Sequence, residues 1–168
     1  MSKIFVEENG AYSIDCTNAV WATDRMHEAY QNAGIHIKDA DFLIEDETHI
    51  FMVEYKNASL KNAVKPDAFN PLADNKIIVV CQKFYDSLHY LRLLGKEKPV
   101  QYIYVLEYPK GDMTTRKRLR NRLKTELPFQ LQDMVGNGTR LIDKVEVVSI
   151  NEWNDDATYG NYPIKEVE

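Results

Sequence analysis

The chain has 168 residues, the size of one domain with a substantial core; with 44% AVILMFWYC and 28% charged residues it is not a disordered or fibrous chain. A formal charge of −5 (21 Lys and Arg against 26 Asp and Glu) rules out a uniformly positive surface. Two cysteines, Cys16 and Cys81, are too few for a disulfide scaffold or a thiolate zinc site.

No apolar run reaches the length of about 18 residues that a membrane span needs, and the N-terminus lacks a signal-peptide pattern. A cytoplasmic, reducing setting with no membrane partner is the expectation. Residues 4–16 read as a hairpin or two small strands around Asn9-Gly10, a strong turn dipeptide. Thr17 or Asn18 is placed to cap a helix running to about Ala33, with Ala22, Met26, Ala29, Tyr30 and Ala33 on its apolar side. Residues 40–45 and 49–56 are predicted strands joined by Asp46-Glu47-Thr48, a connection short enough to force an antiparallel hairpin. Strand alternation puts Phe51, Val53 and Tyr55 on one face and Met52, Glu54 and Lys56 on the other. Residues 57–73, with Pro66 and Pro71, read as a loop carrying a short helix.

From Asp74 to Gly95 a single long helix is favoured over a strand followed by a helix. Ile77, Val80, Cys81, Phe84, Leu88 and Leu91 lie on one helical face. Residues 100–107 are nearly all apolar, as a central strand would be, and the alternating Tyr102 and Tyr104 are expected to pack between sheet and helix. Thr114 or Thr115 is expected to start a helix that stops before Pro128, with Leu119, Leu123 and Leu127 as its narrow core stripe. A late strand follows over 141–150, and the tail 151–168 looks irregular. The order predicts an α/β or α+β domain with a mixed central sheet flanked by helices.

Charge is unevenly distributed along this order. Residues 39–54 hold six acids (Asp39, Asp41, Glu45, Asp46, Glu47, Glu54) and no Lys or Arg. Residues 113–125 hold Arg116, Lys117, Arg118, Arg120, Arg122 and Lys124 and no acid. An enzyme that uses a cation to act on a polyanion needs both kinds of surface; a solvated strand pair and helix would show the same pattern.

Asp41 lies on the first strand of the hairpin, and Glu54-Tyr55-Lys56 ends the second. Glu54 and Lys56 point the same way, and folding back through the turn brings Asp41 opposite a residue between Val53 and Lys56. Two carboxylates and a backbone carbonyl, that of Tyr55, are hard oxygen donors suited to Mg²⁺ or Mn²⁺. A lysine beside them is suited to orient water or to stabilise charge on a phosphoryl group.

This pattern resembles the PD-(D/E)XK phosphodiesterase superfamily, the restriction-endonuclease-like enzymes, over residues 18–107. The resemblance implies an αβββαβ core and a single nuclease-like domain over 1–168, with its core at 18–150. It further implies Mg²⁺-dependent hydrolysis of nucleic acid, DNA ahead of RNA. Asp41, Glu54 and Lys56 map onto the catalytic acids and lysine, and the basic helix becomes a plausible contact to the phosphate backbone. Ala40 stands where the family has proline. The first core strand has two candidate sources, Ile35–Lys38 and the N-terminal hairpin. Many members add a glutamate from the first helix; Glu28 is the candidate, with Asp24 one turn away, although Glu28 falls opposite the apolar side of that helix. A homodimer or a larger complex is compatible with the sequence. Two rival readings remain: an inactive module of the same fold that binds nucleic acid or a protein, and an unrelated soluble α/β protein with a structural role.

Overall fold

A computed structural model describes residues 3–61 and 63–168. Among the described residues, eight strands and five α-helices follow in order, with short 3-10 turns at Pro66–Ala68 and Tyr159–Asn161: β1 (Ile4–Val6), β2 (Tyr12–Asp15), β3 (Trp21–Thr23), α1 (Met26–Asn32), β4 (Phe42–Glu45), β5 (Ile50–Asn57), α2 (Asp74–Leu93), β6 (Val100–Glu107), α3 (Met113–Glu126), α4 (Phe129–Val135), β7 (Ile142–Val148), α5 (Ile150–Asp155) and β8 (Ile164–Glu166). The main sheet has the order β3-β4-β5-β6-β7, antiparallel from β3 to β5 and parallel from β5 to β7. This is the expected mixed sheet flanked by helices. A second sheet, β1-β2-β8, is antiparallel throughout.

Period-two alternation sorts the main sheet into two buried faces. Leu43, Ile50, Met52, Tyr102 and Tyr104 face the core shared with α1, α2 and α3. Phe42, Ile44, Phe51, Val53, Ile103 and Val105 face a second core with Trp153 of α5 and Ile14 and Ile164 of the small sheet. Helix α2 buries Ile77, Val80, Cys81, Phe84, Leu88 and Leu91, the face read from the sequence. Tyr102 is fully buried there and donates its hydroxyl hydrogen to the Val80 carbonyl (2.6 Å). Both cysteines are buried and unpaired.

Three expectations are corrected. Residues 18–33 do not form one helix: Val20 N donates to the Glu45 carbonyl (2.9 Å), and Trp21–Thr23 pairs with β4 as the edge strand, so the helix starts only at Met26. The pairing overrides local helical periodicity, aided by an aromatic and β-branched stretch. The first strand of the main sheet is therefore neither Ile35–Lys38 nor the N-terminal hairpin. The tail is not irregular either. Ser149 caps α5 in a capping box with Glu152, and β8 returns to pair with β2. Finally, Asp112 rather than Thr114 or Thr115 caps α3, accepting from Thr115 N at 2.7 Å.

Trp153 anchors the second core. It is fully buried, stacks on Tyr159 at 5.0 Å and donates its indole N–H to the Tyr162 carbonyl (2.7 Å). Trp153→Ala is expected to cost about 3–5 kcal/mol, measured by urea denaturation.

Candidate functional site

The β4–β5 hairpin determines which side chains meet. Phe42 is the last residue of β4 paired with β5, opposite Val53, and Asp41 N donates to the same Val53 carbonyl (3.0 Å), so Asp41 enters the hairpin beside Val53 and close enough to Glu54 for their charges to be coupled. Glu54, two residues on from Met52, lies on the face turned toward α2. The Asp41 carboxylate is fixed by the strand beside it, Oδ2 accepting from Tyr55 N at 2.7 Å. The segment leading into Asp41 is held by α2: Lys38 N donates to Asp86 Oδ2 (2.9 Å) and Ala40 N to Ser87 Oγ (2.9 Å).

Helix α2 also supplies a residue absent from the sequence reading. Lys83 Nζ lies 2.6 Å from Glu54 Oε1, in an ion pair whose carboxylate side chain is only 8% exposed. The other oxygen, Oε2, is buried with no hydrogen-bond partner among the described residues. Burial and the charge of Asp41 push the Glu54 carboxyl up to about 8, against the pull of Lys83. Burial also raises Asp41, opposed by Lys83 and by the Tyr55 N–H. Burial works against the Lys83 ammonium, but Glu54 and Asp41 outweigh it and its pKa rises. A buried carboxylate and a half-buried one thus draw on one ammonium. The signal for Lys83 was its position on the buried stripe, one turn from Val80 and one from the fully buried Ser87.

An open cleft of about 570 Å³ lies over this group, lined among others by Asp24, His27, Asp39, Asp41, Lys56 and Lys83. Glu54 does not line it and sits beneath. Lys56 shares the Glu54 face of β5 but is exposed, its ammonium 5.9 Å from the centre of the Phe69 ring. The Tyr55 peptide faces β4, as its N–H to Asp41 shows, and the pleat turns its carbonyl to the same side. Glu28 does not join the group. The short α1 turns Met26 and Tyr30 inward and leaves Glu28 exposed, so Asp24 and His27 reach the cleft instead. His27 Nδ1 is 2.9 Å from Asp39 Oδ1.

The basic helix divides in two. Arg116 pairs with Glu152 (2.5 Å) and Arg120 with Glu146 (3.7 Å), tying α3 to α5 and β7. Arg122 pairs with Asp74 at the start of α2 (2.9 Å), an exposed contact of small energetic weight. Arg118 and Arg122 line a shallow groove of about 500 Å³ with Leu72, Asn121 and Thr125. Lys124 lies 5.5 Å from the centre of the Phe129 ring, and Lys117 is exposed. Among the described residues, Lys117, Arg118 and Lys124 form no salt bridge.

Asp41, Glu54 and the Tyr55 carbonyl are the donors that could hold a hard cation, and the orphaned Glu54 oxygen is the observation in this structure that fits one. Among the described residues, no group of three or more His, Cys, Asp and Glu side chains is arranged as a metal site. No helix among them is long and apolar enough to cross a membrane. Comparison with family models, curated proteins and solved structures finds no match for the chain.

A raised carboxyl pKa means that the folded state binds more protons than the unfolded state between the ordinary value, 4.5, and about 8. The Glu54 contribution is therefore present at pH 5 and is lost as the pH rises through 8. Glu54→Gln is expected to gain stability relative to the unmutated protein as the pH goes from 5 to 8. Urea denaturation at several pH values measures that difference, and a difference independent of pH is the contrary result.

Proposed function

We propose that the protein is a divalent-cation-dependent phosphodiesterase acting on nucleic acid, DNA ahead of RNA, with Mg²⁺ or Mn²⁺ held by Asp41, Glu54 and the Tyr55 carbonyl. The observation that carries this reading is the Glu54 carboxyl, buried near a second acid with one oxygen unpartnered among the described residues. Burying Glu54 beside a second, half-buried acid with one ammonium between them works against the stability of the fold, and such groups concentrate at functional sites. A cation bound there would neutralise charge on a phosphoryl oxygen and acidify a water.

The protein's own groups take the remaining roles. Tyr55 N–H orients the Asp41 carboxylate, and α2 holds the backbone leading into it. Lys56, at the exposed end of the same strand face, meets the scissile phosphate and stabilises the charge that grows on it. Lys117, Arg118 and Lys124 contact the phosphate backbone without reading bases. The order of acid-bearing strand, Glu-Tyr-Lys strand, long helix and parallel strand supports the resemblance to the PD-(D/E)XK superfamily. The edge strand Trp21–Thr23, placed before α1, departs from that core order.

A second reading, an idle module of this fold that binds nucleic acid or a protein, is favoured by one observation: Lys83 already occupies Glu54. Cleavage assays separate the two. Purified protein with Mg²⁺ or Mn²⁺ is expected to cut plasmid DNA, single-stranded DNA or RNA. Asp41→Asn, Glu54→Gln and Lys56→Ala are each expected to lower the rate by about 100-fold or more while retaining binding. Cleavage unchanged in all three defeats the site; no cleavage with binding intact supports the idle module.

The divided helix gives a separate test. Lys117→Ala, Arg118→Ala and Lys124→Ala together are expected to weaken nucleic-acid binding and flatten its salt dependence by a slope of about 2–3, with little change in melting temperature. Arg116→Ala, which removes a partly buried ion pair, is expected to lower the melting temperature instead.

A further inference from the structure

We infer that Lys83 is a built-in counter-ion that holds the carboxylate pair in the cation-free protein and is released into the cleft when a divalent cation binds. The inference rests on the proposed role of Asp41 and Glu54 and adds a gate to it. Its basis is the layering of the site. Asp41 and Lys83 line the cleft and Glu54 does not, so the lysine lies between the open space and the buried carboxyl. A cation approaching from the cleft meets an ammonium before it meets Glu54.

Charge and geometry make the two cations competitors. Lys83 Nζ sits 2.6 Å from Oε1 and is the single ammonium facing the two acids, whose carboxyls a divalent ion would need in ionised form. A divalent ion bound to both carboxylates would cancel their charge, leaving the ammonium with no net attraction there and a repulsion from the ion. The lysine has somewhere to go. Its side chain is 23% exposed, its stem is flexible, and the cleft beside it is roomy. Asp39, whose charge already favours the protonated lysine, lines the same cleft and is the receiving carboxylate. Release would also bring a second ammonium into the space where a phosphate would lie.

By linkage, whatever the lysine contributes to holding the empty site is subtracted from cation affinity. Calorimetric titration of the metal-stripped protein with Mn²⁺, without nucleic acid, reads that term. Lys83→Met is expected to bind Mn²⁺ about tenfold more tightly than the unmutated protein. It should also melt earlier in chelator and regain its melting temperature with Mn²⁺. A lysine with only a structural role would leave affinity equal or lower, and that result overturns the gate. Lys83→Gln serves if the methionine variant does not fold. In the unmutated protein, Mn²⁺ should increase acylation of Lys83 by an amine-reactive reagent, read by peptide mass spectrometry, and unchanged labelling also overturns the gate. Unmutated protein and variant both failing to bind Mn²⁺ defeats the cation site itself. Equal binding by both defeats the gate alone.

Discussion

The site depends on a mismatch of charge inside the fold: the β4–β5 hairpin brings Asp41 close to Glu54, and among the described residues Lys83 is the one ammonium that pairs there. Strand pairing leaves the two acids little choice of position, because a one-residue slip of one strand would send its side chains to the opposite core and mismatch Leu43 and Met52 with their neighbours. The hydrophobic core therefore enforces the electrostatic conflict. Burial raises both carboxyls, and the single ammonium offsets that only in part. A fold under selection for stability alone would replace such a pair with apolar side chains.

The same logic explains the elements around the pair. Helix α2 packs its apolar stripe on the sheet and, from that stripe's edge, sends Lys83 to Glu54. Two residues of the following turn, Asp86 and Ser87, hold the backbone before Asp41. One helix thus sets both the acid on β4 and the counter-charge for the acid on β5. The far side of the sheet is covered by α5 and the small sheet, which are tied to α3 by Arg116 and Glu152.

Much of this was legible in the sequence. The hairpin could be read because a three-residue turn forces its two strands back on each other, though it left the partner of Asp41 open between Val53 and Lys56, and helix 74–93 because its apolar stripe from Ile77 to Leu91 runs through about four turns. Three features were not. The strand Trp21–Thr23 is three residues long, and its pairing with β4, rather than its own propensity, decides its state. The C-terminal segment carried a readable Ser149–Glu152 capping box, but Gly160 and Pro163 drew the reading toward a loop. Lys83 is 29 positions from Glu54, a partnership that no local periodicity encodes. The basic run was visible as charge; its division between intramolecular partners and solvent depended on where Glu146 and Glu152 lie in space.

The strands that carry the acids differ in length: β4 has four residues and β5 eight. Past Tyr55, whose N–H holds the Asp41 carboxylate, the backbone of Lys56 and Asn57 overhangs the shorter strand and among the described residues pairs only with β6. Fraying would begin at this one-sided margin, while the doubly paired stretch from Ile50 to Val53 stays closed. The rim bearing Lys56 can thus flex without unzipping the hairpin ladder that ends at Phe42 and Val53, which joins an adjustable lip to a rigid floor.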